Sequence, residues 1–171
     1  MAKIVLIIAP ERFRDEELLV TKTELESAGH ATVIASKVLG TCPGSRGGFA
    51  VAGLTLGEIR AQDYDAVVFV GGGGSKVYFA DEQALRIARE MHEAGKLVAA
   101  ICLAPVILAN AGILKGKKAT VAGTEAGTIE SKGAKYTGPG VTVDGNIVTG
   151  NAPKSSKLFG QAINTLLEAR A

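Results

Sequence analysis

Three short runs of apolar residues most constrain how this chain can fold. They read Lys3-Ile-Val-Leu-Ile-Ile-Ala9, Asp65-Ala-Val-Val-Phe-Val70 and Leu97-Val-Ala-Ala-Ile101. Continuous apolar runs of this length are typical of strands that are buried on both faces. Such strands occur in parallel sheets whose two faces are covered by helices. We therefore expect a layered α/β fold.

Segments of helical periodicity lie between these runs. Asp15 to Ala28 mixes apolar and charged residues in a helical pattern, and Gly29 follows as a typical residue just after a helix end. A further apolar run, Ala31 to Ala35, comes next and completes a strand, helix, strand unit of the parallel type. The same periodicity predicts helices over Asp81 to Glu93 and Ser155 to Ala169.

The remaining segments predict shorter elements. They are a hairpin-like excursion from Gly40 to Gly57, a helix from Leu103 to Ala111, a strand near Ala119 to Ala122, a short helix near Glu125 to Lys132 and a hairpin from Val141 to Thr149. No internal repeat, low-complexity tract or linker divides the sequence. We predict one domain over residues 1–171, built on a doubly wound, mainly parallel sheet with helices on both faces.

Composition narrows the classes of function. The chain has 19 basic and 17 acidic residues and no run of basic residues, so neither nucleic acid nor a membrane surface is expected as a partner. The apolar run from Ile4 to Pro10 is too short for a membrane span and lacks the features of a secretory signal. The two cysteines, Cys42 and Cys102, are expected to be free thiols in a cytoplasmic protein.

Cys102 stands at the junction between a predicted buried strand and a predicted helix. Ligands bind beyond the carboxyl ends of the strands in open α/β sheets, and Cys102 lies at such an end. The small residues Ala100 and Ala104 flank it at the positions where a sharp strand-to-helix elbow requires them. A helix N-terminus there is expected to lower the thiol pKa. From spacing alone, a buried structural cysteine is an equally good interpretation.

The glycine run from Gly71 to Gly74 follows a different strand. It is not a dinucleotide fingerprint, because it follows the third strand and Lys76 stands where the last glycine should be. Four glycines allow close approach of the backbone and could supply N–H groups to an oxyanion hole. The alternative interpretation is a flexible turn.

Other titratable residues give weaker signals. Four carboxylates follow the first strand or begin the first helix, namely Glu11, Asp15, Glu16 and Glu17. Most are expected to cap the helix, and the residues alone do not indicate which one points inward. His30 and His92 are predicted to be surface residues away from the strand ends, and Cys42 a bystander in a loop. No cluster of ligands indicates a metal, and no cofactor is expected.

Three motifs, taken in order, resemble the ThiJ/PfpI superfamily. They are Phe13-Arg-Asp-Glu-Glu-Leu18, the pair Gly71-Gly72 after the third strand, and Ala99-Ala-Ile-Cys-Leu-Ala-Pro105. The resemblance extends from Lys3 to Ala169 and implies a flavodoxin-like sandwich with a reactive cysteine at a nucleophile elbow, carried onto Cys102. It also implies a carboxylic acid beside that thiol, carried onto Glu17, and backbone donors from Gly72 and Leu103.

The sequence departs from the superfamily's patterns at three positions. Leu103 replaces the histidine that follows the cysteine in the protease branch, and Lys76 replaces an acid recruited from a neighbouring subunit. The strand after the elbow helix ends in Ala122-Gly123, where the glyoxalase branch often has a histidine. An intracellular cysteine peptidase is therefore disfavoured, because its base and its orienting group are both missing.

Two functions remain open for a Cys102 and Glu17 site in a stress-response protein. The first is glyoxalase-like or deglycase-like chemistry on a small aldehyde, in which Cys102 attacks the carbonyl. The second is sensing of an oxidant, with Cys102 held as a cysteine sulfinic acid beside a protonated Glu17. The superfamily resemblance further implies a homodimer.

Overall fold

Seven strands form the central sheet of this computed structural model, which describes residues 1–170. The strands are β1 (Lys3–Ile7), β2 (Ala31–Ser36), β3 (Gly40–Pro43), β4 (Phe49–Ala52), β5 (Leu54–Thr55), β6 (Ala66–Phe69), β7 (Leu97–Ile101), β8 (Lys118–Ala119), β9 (Lys135–Tyr136), β10 (Val141–Asp144) and β11 (Ile147–Gly150). The α-helices are α1 (Asp15–Ser27), α2 (Glu82–Glu93), α3 (Pro105–Asn110), α4 (Ala126–Ser131) and α5 (Ser156–Ala169). The predicted α/β class is confirmed.

The sheet changes its winding direction at β1. Its strand order is β10-β11-β7-β6-β1-β2-β5, so the chain moves from β1 to β2 on one side and later to β6 and β7 on the other. Every pairing is parallel except that of β10 with β11. A reversal of this kind opens a crevice at the carboxyl ends of the strands on either side of it. The loops after β1, β6 and β7 meet at that edge.

Helix packing covers the sheet, and the core is continuous. Helix α1 packs against α5, and α2 packs against α3. The approach of α5 to α1 is close at Gly160, where a Cβ atom would lie 2.8 Å from the Cβ of Glu24. Strands β1, β6 and β7 contribute side chains that are almost wholly buried, as expected for strands covered on both faces. No helix within residues 1–170 is long and apolar enough to cross a membrane.

The shorter elements differ in part from the sequence predictions. The excursion predicted from Gly40 to Gly57 is confirmed in its first part, where β3 and β4 pair as a separate antiparallel ribbon, but β5 joins the main sheet beside β2. The predicted strand near Ala119 to Ala122 is shorter than expected and pairs with β9 outside the main sheet. The helix predicted from Leu103 begins at Pro105, since proline has no N–H to donate and is well suited to the first helical turn.

Candidate active site

Cys102 occupies a strained backbone position directly after β7. Its φ angle is +63°, a conformation that residues with a side chain rarely adopt. Two hydrogen bonds hold this position: the Cys102 N–H donates to the carbonyl of Gly150 (2.9 Å), and the N–H of Ala122 donates to the Cys102 carbonyl (2.7 Å). Strain of this kind persists only where the surroundings enforce it, and it is common at functional sites. The thiol is half-buried.

The structure separates the four candidate carboxylates that the sequence could not distinguish. Glu11 is exposed, and Glu16 forms a two-pronged ion pair with Arg14 (2.9 Å for each contact). Asp15 accepts hydrogen bonds from the N–H groups of Gly48 (2.8 Å) and Arg46 (3.2 Å), which tie the start of α1 to the loop between β3 and β4. Glu17 is fully buried and points toward the sheet.

The Glu17 carboxyl group lies against the backbone of the glycine turn. Its Oε1 accepts a hydrogen bond from the Gly71 N–H (2.8 Å). Its Oε2 is buried without a well-formed partner within residues 1–170, and the carboxyl group interacts with the Cys102 thiol. Burial raises the pKa of Glu17 to about 8, against the opposing effects of the hydrogen bonds from Gly71 and Cys102. Glu17 is therefore mostly protonated at pH 7.

Glycine is required at the turn that joins these two groups. A Cβ atom on Gly71 would lie 2.5 Å from Glu17 Oε1 and 2.9 Å from the Cys102 Cβ. Gly72 has a φ angle of +101°, and a Cβ there would lie 2.5 Å from the backbone nitrogen of Arg14. The predicted close approach of the backbone is confirmed. The N–H groups of Gly72 and Leu103 lie beside Cys102, where both act to lower its thiol pKa.

The expected lowering of the Cys102 thiol pKa is wrong. Burial raises this pKa to about 12, the Glu17 carboxylate acts in the same direction, and the N–H groups of Leu103 and Gly72 oppose them without prevailing. The helix contributes little because α3 has only six residues and begins three positions after the thiol. Glu17 therefore ionises before Cys102 does.

A strained cysteine, a buried carboxyl group and a glycine turn thus meet at one edge of the sheet. Residues 2–166 of the chain match the model of the DJ-1/PfpI family. The chain belongs to this family. It is 41% identical over 170 residues to a Methanocaldococcus jannaschii protein, covering 98% of this chain and 83% of that protein.

Two further comparisons support membership of the DJ-1/PfpI family. A Thermococcus kodakarensis protein named as a deglycase is 35% identical over 149 residues, which are 87% of this chain and 90% of that protein. The crystal structure of a ThiJ/PfpI domain protein from Brachyspira murdochii has a TM-score of 0.96 at 35% identity, covering 98% of this chain and 96% of that one. The flavodoxin-like fold expected for the family is confirmed.

Neither histidine of this DJ-1/PfpI protein lies near Cys102. His30 directly precedes β2 and accepts a hydrogen bond from the Ala2 N–H (3.0 Å), and His92 lies near the end of α2, shortly before β7. Both are at the amino ends of strands, opposite the edge that holds the thiol. Each is half-buried rather than on the open surface, because each has one ring nitrogen without contact with solvent.

Cys42 is also separate from the site. It is fully buried in β3, and its thiol donates to the carbonyl of Gly40 (3.6 Å). Both cysteines are free thiols. Within residues 1–170, no group of three or more histidine, cysteine, aspartate or glutamate side chains could hold a metal ion.

Two arginines near the site were missed by the sequence reasoning. Arg14 pairs with Glu16, and its positive charge also acts on Glu17, where it opposes the rise in pKa. Arg12 has a φ angle of +57°, which is unusual for a residue with a long side chain. No sequence signal indicates that conformation, since glycine and asparagine are the residues expected there.

Proposed function

We propose that this protein is a cysteine-dependent enzyme that converts small reactive carbonyls, with methylglyoxal as the model substrate and lactate as its product. The observation that carries the proposal is the position of the buried Glu17 carboxyl group beside Cys102, since one Cβ atom on Gly71 would lie 2.5 Å from Glu17 Oε1 and 2.9 Å from the Cys102 Cβ. The naming of the Thermococcus kodakarensis relative as a deglycase supports carbonyl chemistry in this family. Defence against reactive carbonyls is the physiological role that this chemistry fits.

The proposed reaction begins with addition of the thiol to the aldehyde. The sulfur forms a bond to the aldehyde carbon, and the carbonyl oxygen takes a proton to give a hemithioacetal. The N–H groups of Gly72 and Leu103 stabilise the oxyanion as it develops, because both reach the region of the Cys102 sulfur. Ionised Glu17 accepts the thiol proton during this addition and passes it to the hemithioacetal oxygen, which returns Glu17 to its carboxylate form.

Glu17 then moves a proton between two carbon atoms. Its carboxylate removes the hydrogen on the former aldehyde carbon and returns a proton to the neighbouring ketone carbon through an enediol. The first carbon is oxidised and the second reduced, so no external oxidant or reductant is needed. The product is a lactyl thioester on Cys102. Water hydrolyses this thioester and releases lactate with the free thiol.

Proteolysis is poorly supported by comparison. A cysteine peptidase needs a base that also protonates the leaving amine, and both histidines lie at the far edge of the sheet. Leu103 and Lys76, the residues that replace the protease histidine and acid, provide neither function. Glu17 must therefore perform all the proton transfers in this chain, so turnover is expected to be slower than with a histidine present.

Oxidation sensing is the second candidate, and one observation favours it. The Oε2 atom of Glu17 is buried without a well-formed partner, so a protonated Glu17 could donate to an oxygen on an oxidised Cys102. Peroxide would then convert the thiol to a sulfinic acid that the carboxyl group stabilises. The high thiol pKa makes the first oxidation slow, since the thiolate is the reactive form.

Production of lactate from methylglyoxal by wild type and Cys102→Ser tests the enzyme proposal. Wild type is expected to produce lactate and the variant to produce none, because serine is a far weaker nucleophile without an activating base. Cys42→Ser is the matched control and should retain turnover, since Cys42 is buried away from the site. Equal rates in wild type and Cys102→Ser would refute the proposal.

We further propose that the protein is a cytoplasmic homodimer. Apolar side chains remain exposed on α1, where Leu19 is 54% exposed, and on β4, where Phe49 and Val51 are 67% and 57% exposed. Burial of such side chains against a second copy would be favourable. Sedimentation equilibrium is expected to give twice the monomer mass, and a monomer at all concentrations would contradict this proposal.

A further inference from the structure

A cavity of about 420 Å³ adjoins the glycine turn. Arg12, Lys76 and Glu11 are its charged lining residues, and Gly73 and Gly74 form part of its wall. We infer that this cavity binds an anionic group, carboxylate or phosphate, on the carbonyl substrate, with Arg12 and Lys76 as its ligands. The inference deepens the proposed function and rests on it for the nature of the substrate.

The strained backbone of Arg12 is held by the turn itself. The Arg12 N–H donates to the carbonyl of Pro43 (2.8 Å), and its own carbonyl accepts from the N–H of Gly74 (3.0 Å). These bonds hold the residue at its φ of +57°. The guanidinium group lies over the turn as a result, with Nη1 3.9 Å from the position of a Cβ on Gly73.

The two cations of this cavity have no acidic partner. Neither Arg12 nor Lys76 forms an ion pair in the part of the chain that the structure describes, whereas the neighbouring Arg14 is paired with Glu16. Glu11 is the one acidic residue in the lining, so the cavity carries an excess of one positive charge. An anion between Arg12 and Lys76 would complete this arrangement.

The cavity lies within reach of the thiol. The Gly72 backbone lies beside Cys102, since its N–H acts on the thiol pKa, and the next residue, Gly73, lies beside the Arg12 guanidinium. Two residues of extended chain span about 7 Å, which a substrate of three to five carbon atoms can bridge. A carbonyl carbon at Cys102 and an anionic group at Arg12 and Lys76 therefore fit one small molecule.

Alkylation of Cys102 tests the inference without requiring turnover. Iodoacetate and iodoacetamide attack the same thiolate, so the ratio of their rates cancels the thiolate fraction and reports the local charge. Relative to free N-acetylcysteine, the ratio of iodoacetate to iodoacetamide rates is expected to be raised in wild type at low salt. Each of Arg12→Gln and Lys76→Gln should lower it by roughly threefold, the effect of one charge several ångströms away in a medium like water.

Three control variants accompany this experiment. Glu11→Gln should raise the ratio, because it removes the one negative charge of the lining, and Lys96→Gln should leave it unchanged, because β7 separates Lys96 from Cys102. Cys102→Ser measures the background from Cys42. A ratio that is unaffected by both Arg12→Gln and Lys76→Gln would overturn the inference.

Substrate comparison then identifies the anion. Dioxovalerate carries a carboxylate and hydroxypyruvaldehyde phosphate a phosphate on the same oxoaldehyde unit as methylglyoxal. The preferred anionic compound should have the higher kcat/KM, and Lys76→Gln should raise the KM for that compound by a larger factor than the KM for methylglyoxal. Equal loss on all three compounds would contradict anion binding. Turnover of none of them would refute the proposed function, and the alkylation ratio would still decide whether the cavity attracts anions.

Discussion

Glu17→Gln is expected to reduce kcat for methylglyoxal by about 10²–10⁴-fold, the usual contribution of a positioned acid or base. Glutamine keeps the size of the side chain and can still contact the Gly71 N–H through its carbonyl oxygen. It cannot accept the thiol proton or carry a proton between carbon atoms. Lactate formation under saturating methylglyoxal measures the loss. Glu16→Gln is the matched control one residue away and should remain within a few-fold of wild type.

The pH dependence of the wild-type rate provides a second signature. The base form of Glu17 is its carboxylate, and burial raises the pKa of this group to about 8. The rate kcat/KM should therefore increase as pH rises from 6 and level off above about pH 8. This levelling should be absent in Glu17→Gln, whose much lower rate follows the ionisation of Cys102 alone. A rate independent of pH over this range would contradict the assignment of Glu17 as the base. A Glu17→Gln variant with normal turnover but no stable sulfinic acid after peroxide would favour the sensing function instead.

The free energy of unfolding of wild type is expected to fall between pH 5 and pH 8, while that of Glu17→Gln stays more nearly constant. The Glu17 pKa is raised from 4.5 in the reference state to about 8 in the folded protein. The folded protein therefore binds a proton that the unfolded chain has already released. Stability is fully present below the unfolded pKa and declines as pH rises through the folded one.

Urea denaturation at several pH values measures this difference. A shift of about 3.5 pKa units corresponds to roughly 5 kcal/mol as an upper limit, because the buried carboxyl group relaxes when it ionises. The stability of Glu17→Gln minus that of wild type should therefore grow by a few kcal/mol between pH 5 and pH 8. The matched control Glu16→Gln should follow wild type, since Glu16 is partly exposed. A constant difference across this range would show that Glu17 is not protonated in the folded state.

The layered fold was predictable because its signals are local. The apolar runs that form β1, β6 and β7 are buried on both faces. Burial on both faces requires an apolar residue at nearly every position of a strand, and this is visible in the sequence. The hairpins were predictable for the same reason, since their turns are defined by a few adjacent residues. The ends of helices were predicted less accurately, since α3 begins at Pro105 and not at Leu103.

The chemistry of the site was predictable only in part. The position of Cys102 at a strand end indicated a candidate site residue. The choice of Glu17 among four carboxylates rested on the resemblance to the ThiJ/PfpI superfamily, because the sequence pattern did not distinguish them. That choice depends on which side chain α1 turns toward the sheet. The thiol pKa was predicted in the wrong direction because helix dipoles can be read from a sequence, whereas burial in a folded crevice cannot. The positive φ of Arg12 depends on bonds to Pro43 and Gly74, which are distant in sequence.

The thiol environment is assembled from three distant parts of the chain, and this has a consequence during synthesis. Glu17 and Gly71 are 54 residues apart, and Cys102 follows on a later strand. A nascent or unfolded chain therefore presents Cys102 as an ordinary cysteine, with a reference pKa of 9.0. Folding partly buries this thiol and raises its pKa, so the completed protein is less easily oxidised than its own precursor. Closure of the sheet thus shields Cys102 from oxidants.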